Sequence, residues 1–269
     1  MKKINLRQIT FMIPIRLDSV VRLENLIMSI DFLCKHFNTN ILVLQASKYE
    51  NHIIPKLLGR NIKYYFLEDY DNVFYRTKYL NFMTTISQTP YLAIWDADVI
   101  IPQKQVIEAV SELEKGADIV YPYDGHFFDT SSLIRELYIK RPDIRILERN
   151  KEKMFLLYGN KMIGGAIFVN RQSYIDSGME NTNFYGWGPE DSERHIRWKY
   201  LGYKIKYIKG HLFHLTHQRG SDSKFRSKDQ ITSTHDEIIK LVRSSKKEIL
   251  YDIRVRECQS VDHIQDSSK

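Results

Sequence analysis

The first 121 residues alternate between short apolar runs and segments with the period of an amphipathic helix. The runs are bounded by turn residues, as buried strands are, whereas the segments between them repeat apolar residues every three to four positions. The predicted strands are Ile9–Ile15, Asn40–Leu44, Lys63–Leu67, Tyr91–Trp95 and Asp118–Tyr121, and the predicted helices are Val20–Phe37, Arg76–Ser87 and Gln103–Lys115. This order predicts an α/β protein with an open, mostly parallel, twisted sheet and helices on both faces.

The alternation becomes irregular after residue 121. Residues 126–160 are highly charged and contain Pro142, which indicates an inserted helix or a lid. The remaining predicted elements are strands at Gly164–Val169 and Lys204–Ile208, a helix at Glu190–Tyr200 and one amphipathic helix at Asp236–Val255. Because no linker separates two units in the 269 residues, we expect a single domain over 1–269.

Cysteine content and hydropathy bear on the compartment. Cys34 and Cys258 are the two cysteines, and they lack the spacing of a disulfide framework or a cysteine-based zinc site, so a reducing environment is expected. The apolar run Ile9–Ile15 is too short for a signal sequence, and no stretch approaches the 18 apolar residues of a membrane span. These features predict a cytoplasmic protein that is at most peripheral to a membrane.

The net charge of +7 concentrates in one part of the chain. Between Arg194 and Lys228 there are ten Lys or Arg residues and a single acid, Asp222. Such a stretch is typical of a solvated face, a phosphate site, a nucleic-acid site or a surface for anionic lipid. Charge by itself does not choose among them.

An acidic pair, Asp96 and Asp98, directly follows the predicted strand Tyr91–Trp95. Open α/β sheets bind ligands beyond the carboxyl ends of their strands. Two carboxylates one residue apart there are suited to a divalent cation that neutralises phosphate oxygens. A solvated acidic turn is the alternative, since so short a pattern often occurs by chance.

Three histidines follow later at a spacing of three: His211, His214 and His217. Neutral imidazole is a ligand for Mn²⁺ and Zn²⁺, so His214 and His217 are candidates to complete a metal site, and His211 is expected to be structural. The alternative is a set of surface histidines in a basic loop.

The segment Gly186-Trp187-Gly188-Pro189-Glu190-Asp191 leads into a predicted helix. The face of Trp187 suits the C–H groups of a sugar, and Glu190 and Asp191 suit its hydroxyls; a carboxylate so placed also serves as a general base. Acidic residues are equally favoured by the helix dipole at this position. Two further short motifs, Pro14 with Arg16 after the first strand and Gly164-Gly165, are compatible with tight turns or with a backbone that approaches a ligand.

The order of these motifs over residues 9–220 resembles that of nucleotide-sugar glycosyltransferases of GT-A fold. It is most similar to the C-terminal region of the β-1,4-galactosyltransferase family, with kinship to family 2 glycosyltransferases and polypeptide N-acetylgalactosaminyltransferases. Pro189, Ser192 and His214 replace the Gly, Asp and Met of the galactosyltransferase pattern, which leaves the sugar and the acceptor open.

The resemblance implies a role for each motif residue. His214, His217 and Asp98 are implied ligands of Mn²⁺ or Mg²⁺, and Asp191 is the implied catalytic base. Residues implied to hold the acceptor are Trp187, Glu190 and Asp191. Residues implied to bind the donor nucleotide sugar are Pro14, Arg16, Arg76, Asp96, Asp98, Gly164 and Gly165.

The implied enzyme is a metal-dependent, inverting glycosyltransferase that moves a hexose or N-acetylhexosamine from a UDP-sugar to a saccharide or lipid-linked saccharide, in surface polysaccharide synthesis. Residues 1–121 then form a nucleotide-binding half, 122–235 an acceptor and metal half, and 236–269 a C-terminal helix and tail. Peripheral contact with an anionic membrane at its inner face is compatible with this function, and no nucleic acid is expected.

Two alternatives from other classes stay open. A metal-dependent phosphohydrolase would use Asp96 and Asp98, although haloacid-dehalogenase-like enzymes place such a pair on the first strand with a hydroxyl residue where this chain has Ile100. A nucleic-acid-binding protein would use the basic stretch, although no recognition signature accompanies it.

Overall fold

A computed structural model describes residues 2–59, 62–157, 159 and 162–266, and for residues 221 and 257–266 it describes the backbone alone. Cys34 is a free, partly buried thiol, and the side chain of Cys258 lies outside the described residues. The strands of the described part are β1 (Ile4–Ile15), β2 (Phe37–Ser47), β3 (Lys63–Glu68), β4 (Tyr91–Trp95), β5 (Val99–Ile100), β6 (Ile119–Tyr121), β7 (His126–Asp129), β8 (Phe155–Leu156), β9 (Ala166–Asn170), β10 (Ile205–Tyr207) and β11 (His211–His214).

The helices are distributed between the strands over the same part of the chain. They are α1 (Val20–His36), α2 (Ile53–Leu57), α3 (Arg76–Ile86), α4 (Gln103–Glu114), α5 (Ser132–Lys140), α6 (Ile144–Arg149), α7 (Arg171–Asp176), α8 (Glu190–Leu201), α9 (Lys228–Arg243) and α10 (Lys246–Asp266). Of these, none described has the length and apolar character needed to cross a bilayer.

Seven strands form the larger sheet, in the order β10-β6-β9-β4-β1-β2-β3. Neighbouring strands of this sheet run parallel, except that β9 pairs antiparallel with both β4 and β6. Alternate residues of β1 enter opposite cores: Phe11 and Ile13 pack with α1 and α4, while Met12 packs with α3, α7 and α8. The predicted α/β class, the mostly parallel sheet and the helices on both faces are therefore confirmed.

A second sheet of four strands, in the order β5-β11-β7-β8, brings distant segments together. β11 pairs antiparallel with β5, which sets His214 opposite Val99, the residue after Asp98. On its other side β11 pairs parallel with β7, which sets His214 opposite Asp129. The register of this small sheet thus joins the acidic pair to the histidine segment.

The structure corrects two predicted elements. The segment 126–160 contains strands β7 and β8 as well as helices α5 and α6, because its apolar residues complete the second sheet. The predicted helix Asp236–Val255 is two helices, α9 and α10, and the first begins before residue 236. Ser245 and Glu248 form a reciprocal capping box, in which Ser245 N donates to Glu248 at 2.7 Å and Glu248 N donates to Ser245 Oγ at 3.4 Å. This S-x-x-E pattern is the signal that starts α10.

Candidate active site

A cleft of about 560 Å³ opens where β4 and β9 of the larger sheet meet the small sheet and the start of α8. This size lies within the range of small-ligand sites in proteins. All but one of the residues predicted for the site line it: Pro14, Arg76, Asp96, Asp98, Gly164, Gly165, Trp187, Glu190, Asp191, His214 and His217. The exception is Arg16, which lines an adjoining cavity of about 590 Å³.

The two halves of the predicted metal site meet in this cleft. The Nε2 atoms of His217 and His214 lie 3.1 and 3.5 Å from Asp98 Oδ2. One ligand atom from each of the three residues lies within 4.8 Å of the others, which is the arrangement that a single cation requires. Nitrogen and oxygen donors of this kind suit Mn²⁺, and the carboxylate also suits Mg²⁺. The residues present therefore fit the cation that the sequence predicts, and their role as ligands stays a prediction.

Asp129 orients one of these histidines. Its Oδ1 accepts a hydrogen bond from His214 Nδ1 at 2.8 Å, which leaves Nε2 directed at Asp98. Burial by itself would lower the pKa of His214, but Asp98 and Asp129 raise it to about 10. Burial likewise opposes the ionisation of Asp98, yet the two imidazoles hold its pKa well below the ordinary value. A carboxylate behind a ligating histidine is a common feature of metal sites.

Arg76 connects Asp96 with the two acids that follow Trp187. Its Nη2 donates to Asp96 Oδ1 at 2.9 Å, and its Nη1 lies 3.8 Å from both Glu190 Oε1 and Asp191 Oδ1. Burial raises the pKa of Asp96 despite this arginine. One guanidinium thus holds the two sides of the cleft at a fixed distance.

The neighbours Glu190 and Asp191 occupy different surroundings. Glu190 is buried, and its Oε2 has no hydrogen-bond partner among the described residues. Burial, and then the charge of Asp191, raises the pKa of Glu190 to about 8. Asp191 is 26% exposed and receives a hydrogen bond from Arg194 at its Oδ1 atom. The surroundings of Glu190 therefore favour its protonated form, and Asp191 is the more exposed of the two acids that line the cleft.

Glycines bring the backbone of β9 close to the acids. A Cβ atom on Gly164 would lie 2.6 Å from Asp191 Oδ2, and one on Gly165 would lie 2.7 Å from the ring of Phe127. Gly165 also has a φ of +79°, and its carbonyl accepts a hydrogen bond from Asp96 N at 2.8 Å. The positive φ of Gly165 and its contact with the Phe127 ring leave room only for a glycine at this position.

The loop that carries Trp187 is held by α9. Gln230 Nε2 donates to the carbonyls of Tyr185 and Trp187, at 2.9 and 3.0 Å. Phe225 packs edge-on against Trp187, with 4.9 Å between ring centroids, and Trp187 stays 36% exposed at the cleft. An exposed indole in a cleft that also holds carboxylates is suited to the apolar face of a sugar.

Arg16 lies between the cleft and the adjoining cavity. Its guanidinium stacks at 5.6 Å over Phe74, donates to the Ala46 carbonyl at 3.1 Å, and lies 3.8 Å from Asp222, which lines both spaces. The side chains of Gln45 and Asp69 are among those that line the adjoining cavity, which has the size for a nucleoside.

The basic stretch predicted from the sequence is not one surface. Arg194 and Arg197 are buried and paired with Glu180 and Glu193, so they are not available to an anionic partner. The lysines that follow are spread over several elements: Lys199 is on α8, Lys206 is on the edge strand β10 and Lys228 begins α9. His211 lies outside the cleft, with its Nε2 atom 3.1 Å from Glu148.

Sequence reasoning missed several residues of the site. Asp129, Phe225 and His235 adjoin or line the cleft, and Gln230 holds its loop. No motif marks them, because strand register and helix packing, rather than spacing along the chain, decide where they lie.

Comparisons with known proteins agree with this geometry. A family model described as the N-terminal domain of galactosyltransferase matches residues 146–218, which include Gly164-Gly165, the Trp187 loop and His214 with His217. No protein of curated function matches the sequence significantly.

Several solved structures have the same fold at low sequence identity. The catalytic domain of Drosophila beta1,4-galactosyltransferase 7 in complex with xylobiose is 16% identical with a TM-score of 0.54, over 84% of this chain and 79% of that one. Glucosyl-3-phosphoglycerate synthase from Mycobacterium tuberculosis, with Mn²⁺, UDP and glucosyl-3-phosphoglycerate, is 17% identical with a TM-score of 0.51, over 88% and 79%. GalNAc-T7 with UDP, GalNAc and Mn²⁺ is 10% identical with a TM-score of 0.59, over 87% of this chain and 47% of that one.

These matches confirm the predicted GT-A fold and the predicted resemblance to the galactosyltransferase family. The predicted enzyme class, a glycosyltransferase, agrees with the matched family and with all three structures.

Proposed function

We propose that this chain is a metal-dependent, inverting glycosyltransferase that moves a hexose or N-acetylhexosamine from a UDP-sugar to a saccharide acceptor. The observation that carries the proposal is the meeting, in one cleft, of a cation-binding set with an exposed carboxylate beside Trp187. Complexes of the structural neighbours with UDP and Mn²⁺ support this choice of donor and cation. The matched galactosyltransferase model supports a hexose as the group transferred.

On the donor side, the chain binds the nucleotide and the metal. Asp98, His214 and His217 hold Mn²⁺ or Mg²⁺, which when bound neutralises the charge of the departing diphosphate. Pro14 and Arg16 contact the nucleoside part of the UDP-sugar. Arg76 orients Asp96 toward the ribose or the sugar of this donor. Gly164 and Gly165 lie against the sugar because they carry no side chain there. Residues 1–121 accordingly form the nucleotide half.

On the acceptor side, Trp187 and Glu190 hold the saccharide, and Asp191 takes the proton from its hydroxyl. The acceptor oxygen forms a bond to the anomeric carbon as the bond from that carbon to the diphosphate oxygen breaks. A base on the face opposite the leaving group gives inversion in a single displacement. The acceptor and metal half thus spans 122–235, with Asp98 as the ligand that the first half adds.

The same proposal includes a lipid-linked saccharide as the acceptor. The protein would then be cytoplasmic and would contact the anionic inner face of the membrane. Leu250 and Tyr251 are exposed on α10, and Lys247 and Arg254 are exposed beside them. Cations around exposed apolar side chains favour an anionic surface. Co-sedimentation with vesicles that contain phosphatidylglycerol, but not with pure phosphatidylcholine vesicles, is the expected result. If the acceptor is a lipid-linked saccharide, the enzyme takes part in surface polysaccharide synthesis.

Turnover of a donor panel tests the proposal. Wild-type protein with Mn²⁺ is given UDP-galactose, UDP-glucose and the two UDP-N-acetylhexosamines, and the release of UDP is measured with and without added saccharides. We expect release from at least one donor, stimulation by an acceptor, and loss of both in Asp98→Asn. Hydrolysis of a simple phosphate ester in place of a UDP-sugar would favour the phosphohydrolase alternative, and binding of RNA or DNA that UDP does not displace would favour the nucleic-acid alternative.

A further inference from the structure

We infer that Arg194 on α8 and Glu180 in the segment after α7, which form a buried ion pair, are positioning residues for the base Asp191. The inference rests on the proposed function, in which Asp191 takes the acceptor proton. Arg194 Nη2 donates to Asp191 Oδ1 at 2.5 Å, from one helical turn further along α8. The other oxygen, Oδ2, faces Gly164 at the cleft.

Arg194 is itself held rigidly. Its side chain is 1% exposed, its Nη1 donates to Glu180, whose side chain is fully buried, and its guanidinium stacks at 5.2 Å over Trp198. Tyr174 donates to Glu180 Oε1 at 2.6 Å, and the backbone of Glu180 donates to Asn81 at 2.9 Å. An arginine fixed on three sides transmits a fixed geometry to the carboxylate that it contacts.

Stability alone does not account for this pair. Arg194 Nε and Glu180 Oε2 are buried without hydrogen-bond partners among the described residues. A buried ion pair with unsatisfied atoms contributes little net stability, because the loss of hydration offsets the attraction between the charges. What the pair does provide is a bond to one oxygen of Asp191, which fixes its rotamer and leaves Oδ2 directed at the acceptor.

Arg197 supplies a matched control on the same helix. It is equally buried at 1% exposure and pairs with Glu193 at 2.8 Å. Its remaining bonds go to the carbonyls of Ser177 and Met179, and it does not contact Asp191. Substitution of either arginine disturbs a buried ion pair, but only that of Arg194 alters the base.

The test compares three variants with the UDP-sugar that the wild type turns over. The double variant Arg194→Met/Glu180→Gln removes both charges together, so that neither is left buried alone. We expect it to lower kcat by about 10–100-fold, as loss of a supporting residue does elsewhere, with KM for the UDP-sugar within about twofold. Arg194→Lys should recover most of kcat, and Arg197→Lys should lower Tm but keep the wild-type kcat.

Crystal structures of the wild type and the double variant give a second readout that needs no substrate. We expect the Asp191 carboxylate to turn away from Gly164 in the double variant and to stay in place in Arg197→Lys. A folded double variant with wild-type kcat and an unmoved Asp191, or an equal loss of kcat in Arg197→Lys, overturns the inference. If the wild type turns over no UDP-sugar, the proposed function fails, and the position of Asp191 still decides whether Arg194 and Glu180 position it.

Discussion

At the scale of single residues, the site places two adjacent acids in different surroundings. Glu190 and Asp191 are consecutive in α8, yet burial raises the pKa of the first, while the second is partly exposed and accepts a hydrogen bond from Arg194. Successive residues on a helix point about 100° apart, so only one of the two aligns with an attacking hydroxyl. Their environments therefore predict distinct consequences of substitution.

Asp191→Asn keeps the shape of the side chain and removes its ability to accept a proton. We expect kcat for transfer to fall by about 10²–10⁴-fold with UDP binding unchanged. Glu190→Gln should raise KM for the acceptor more than it lowers kcat. Steady-state kinetics with the donor identified above measure both. Near wild-type transfer by Asp191→Asn, together with an inactive Glu190→Gln, would mean that the two roles are reversed.

The raised pKa of Glu190 also predicts how stability depends on pH. In the unfolded chain Glu190 loses its proton near its ordinary pKa of 4.5, whereas in the folded protein it keeps it to about pH 8. Between these values the folded state binds one more proton, so the free energy of unfolding falls as pH rises, by up to about 1.4 kcal/mol per pH unit. Urea unfolding of wild type and Glu190→Gln between pH 5 and 8 measures the difference. Parallel curves for the two proteins would contradict the raised pKa.

Asp129 is predicted to act through His214. Asp129→Asn weakens the hydrogen bond that directs His214 Nε2 at Asp98, so Mn²⁺ affinity should fall by about 10–100-fold. Asp124→Asn is the control, because Asp124 makes a similar bond, at 2.5 Å, to His126. Isothermal titration with Mn²⁺ compares the two variants, and equal affinities would remove Asp129 from the metal site.

At the scale of elements, the site depends on strand register. β9 runs antiparallel to β4 with Ala166 opposite Trp95, which brings Gly164 and Gly165 beside Asp96. β11 bridges β5 and β7, which brings His214 to Asp98 and Asp129. A shift of one residue in either pairing would turn the side chains to the other face of the sheet.

Gly165→Ala is predicted to disturb the contact between the two sheets, in addition to the backbone strain that a side chain at this φ causes. The new Cβ would meet the ring of Phe127, which packs against His214 at 5.6 Å, so both stability and Mn²⁺-dependent UDP binding should decrease. Gly202→Ala is the control, since Gly202 has a φ of +87° and no described atom lies within 4 Å of the position that its new methyl group would take. It should cost about 1–2 kcal/mol of stability and leave UDP binding intact. Equal effects in thermal shifts of both variants would show that strain alone acts at residue 165.

At the scale of the whole molecule, ligands from both sheets should stabilise the fold together. Asp98 follows β4 of the large sheet, and His214 ends β11 of the small one, so a cation bound to both would link the two sheets. The two last helices are also attached to the site. Leu241 of α9 and Ile249 and Ile253 of α10 pack against α8, the helix that begins with Glu190 and Asp191.

UDP is expected to raise Tm strongly with Mn²⁺ and weakly with EDTA. A ligand present at 100 times its Kd adds about 2.7 kcal/mol to the free energy of unfolding, which a thermal-shift assay resolves. In Asp98→Asn, the shift in Tm caused by UDP should be the same with Mn²⁺ and with EDTA. The Tm of this variant without ligand should fall by less than the UDP shift that is lost. Equal shifts by UDP in Mn²⁺ and in EDTA would remove Asp98, His214 and His217 from the metal site.

The sequence by itself determined the class of fold and the candidate residues of the site, eleven of which line one cleft. Strand and helix periods are local properties, so α1, β4, α4 and α8 could be predicted within one residue at each end, and β1 was predicted from Ile9 although it begins at Ile4. The motif residues could be chosen because open α/β sheets bind ligands beyond the carboxyl ends of their strands, and because the order of the motifs resembles that of a known family. The capping box at Ser245 was a local signal too, and it separates two helices where one was predicted.

Tertiary structure alone decided how these residues pair. Asp129 meets His214, and Glu180 meets Arg194, through strand register and helix packing that no local pattern encodes. The basic stretch from Arg194 to Lys228 could not be assigned for the same reason, because charge along a chain does not reveal that side chains such as Arg194 and Arg197 face inward. The surroundings of Glu190 and Asp191 also differ through burial, which is a property of the folded molecule: it raises the pKa of Glu190 and leaves Asp191 partly exposed in the cleft.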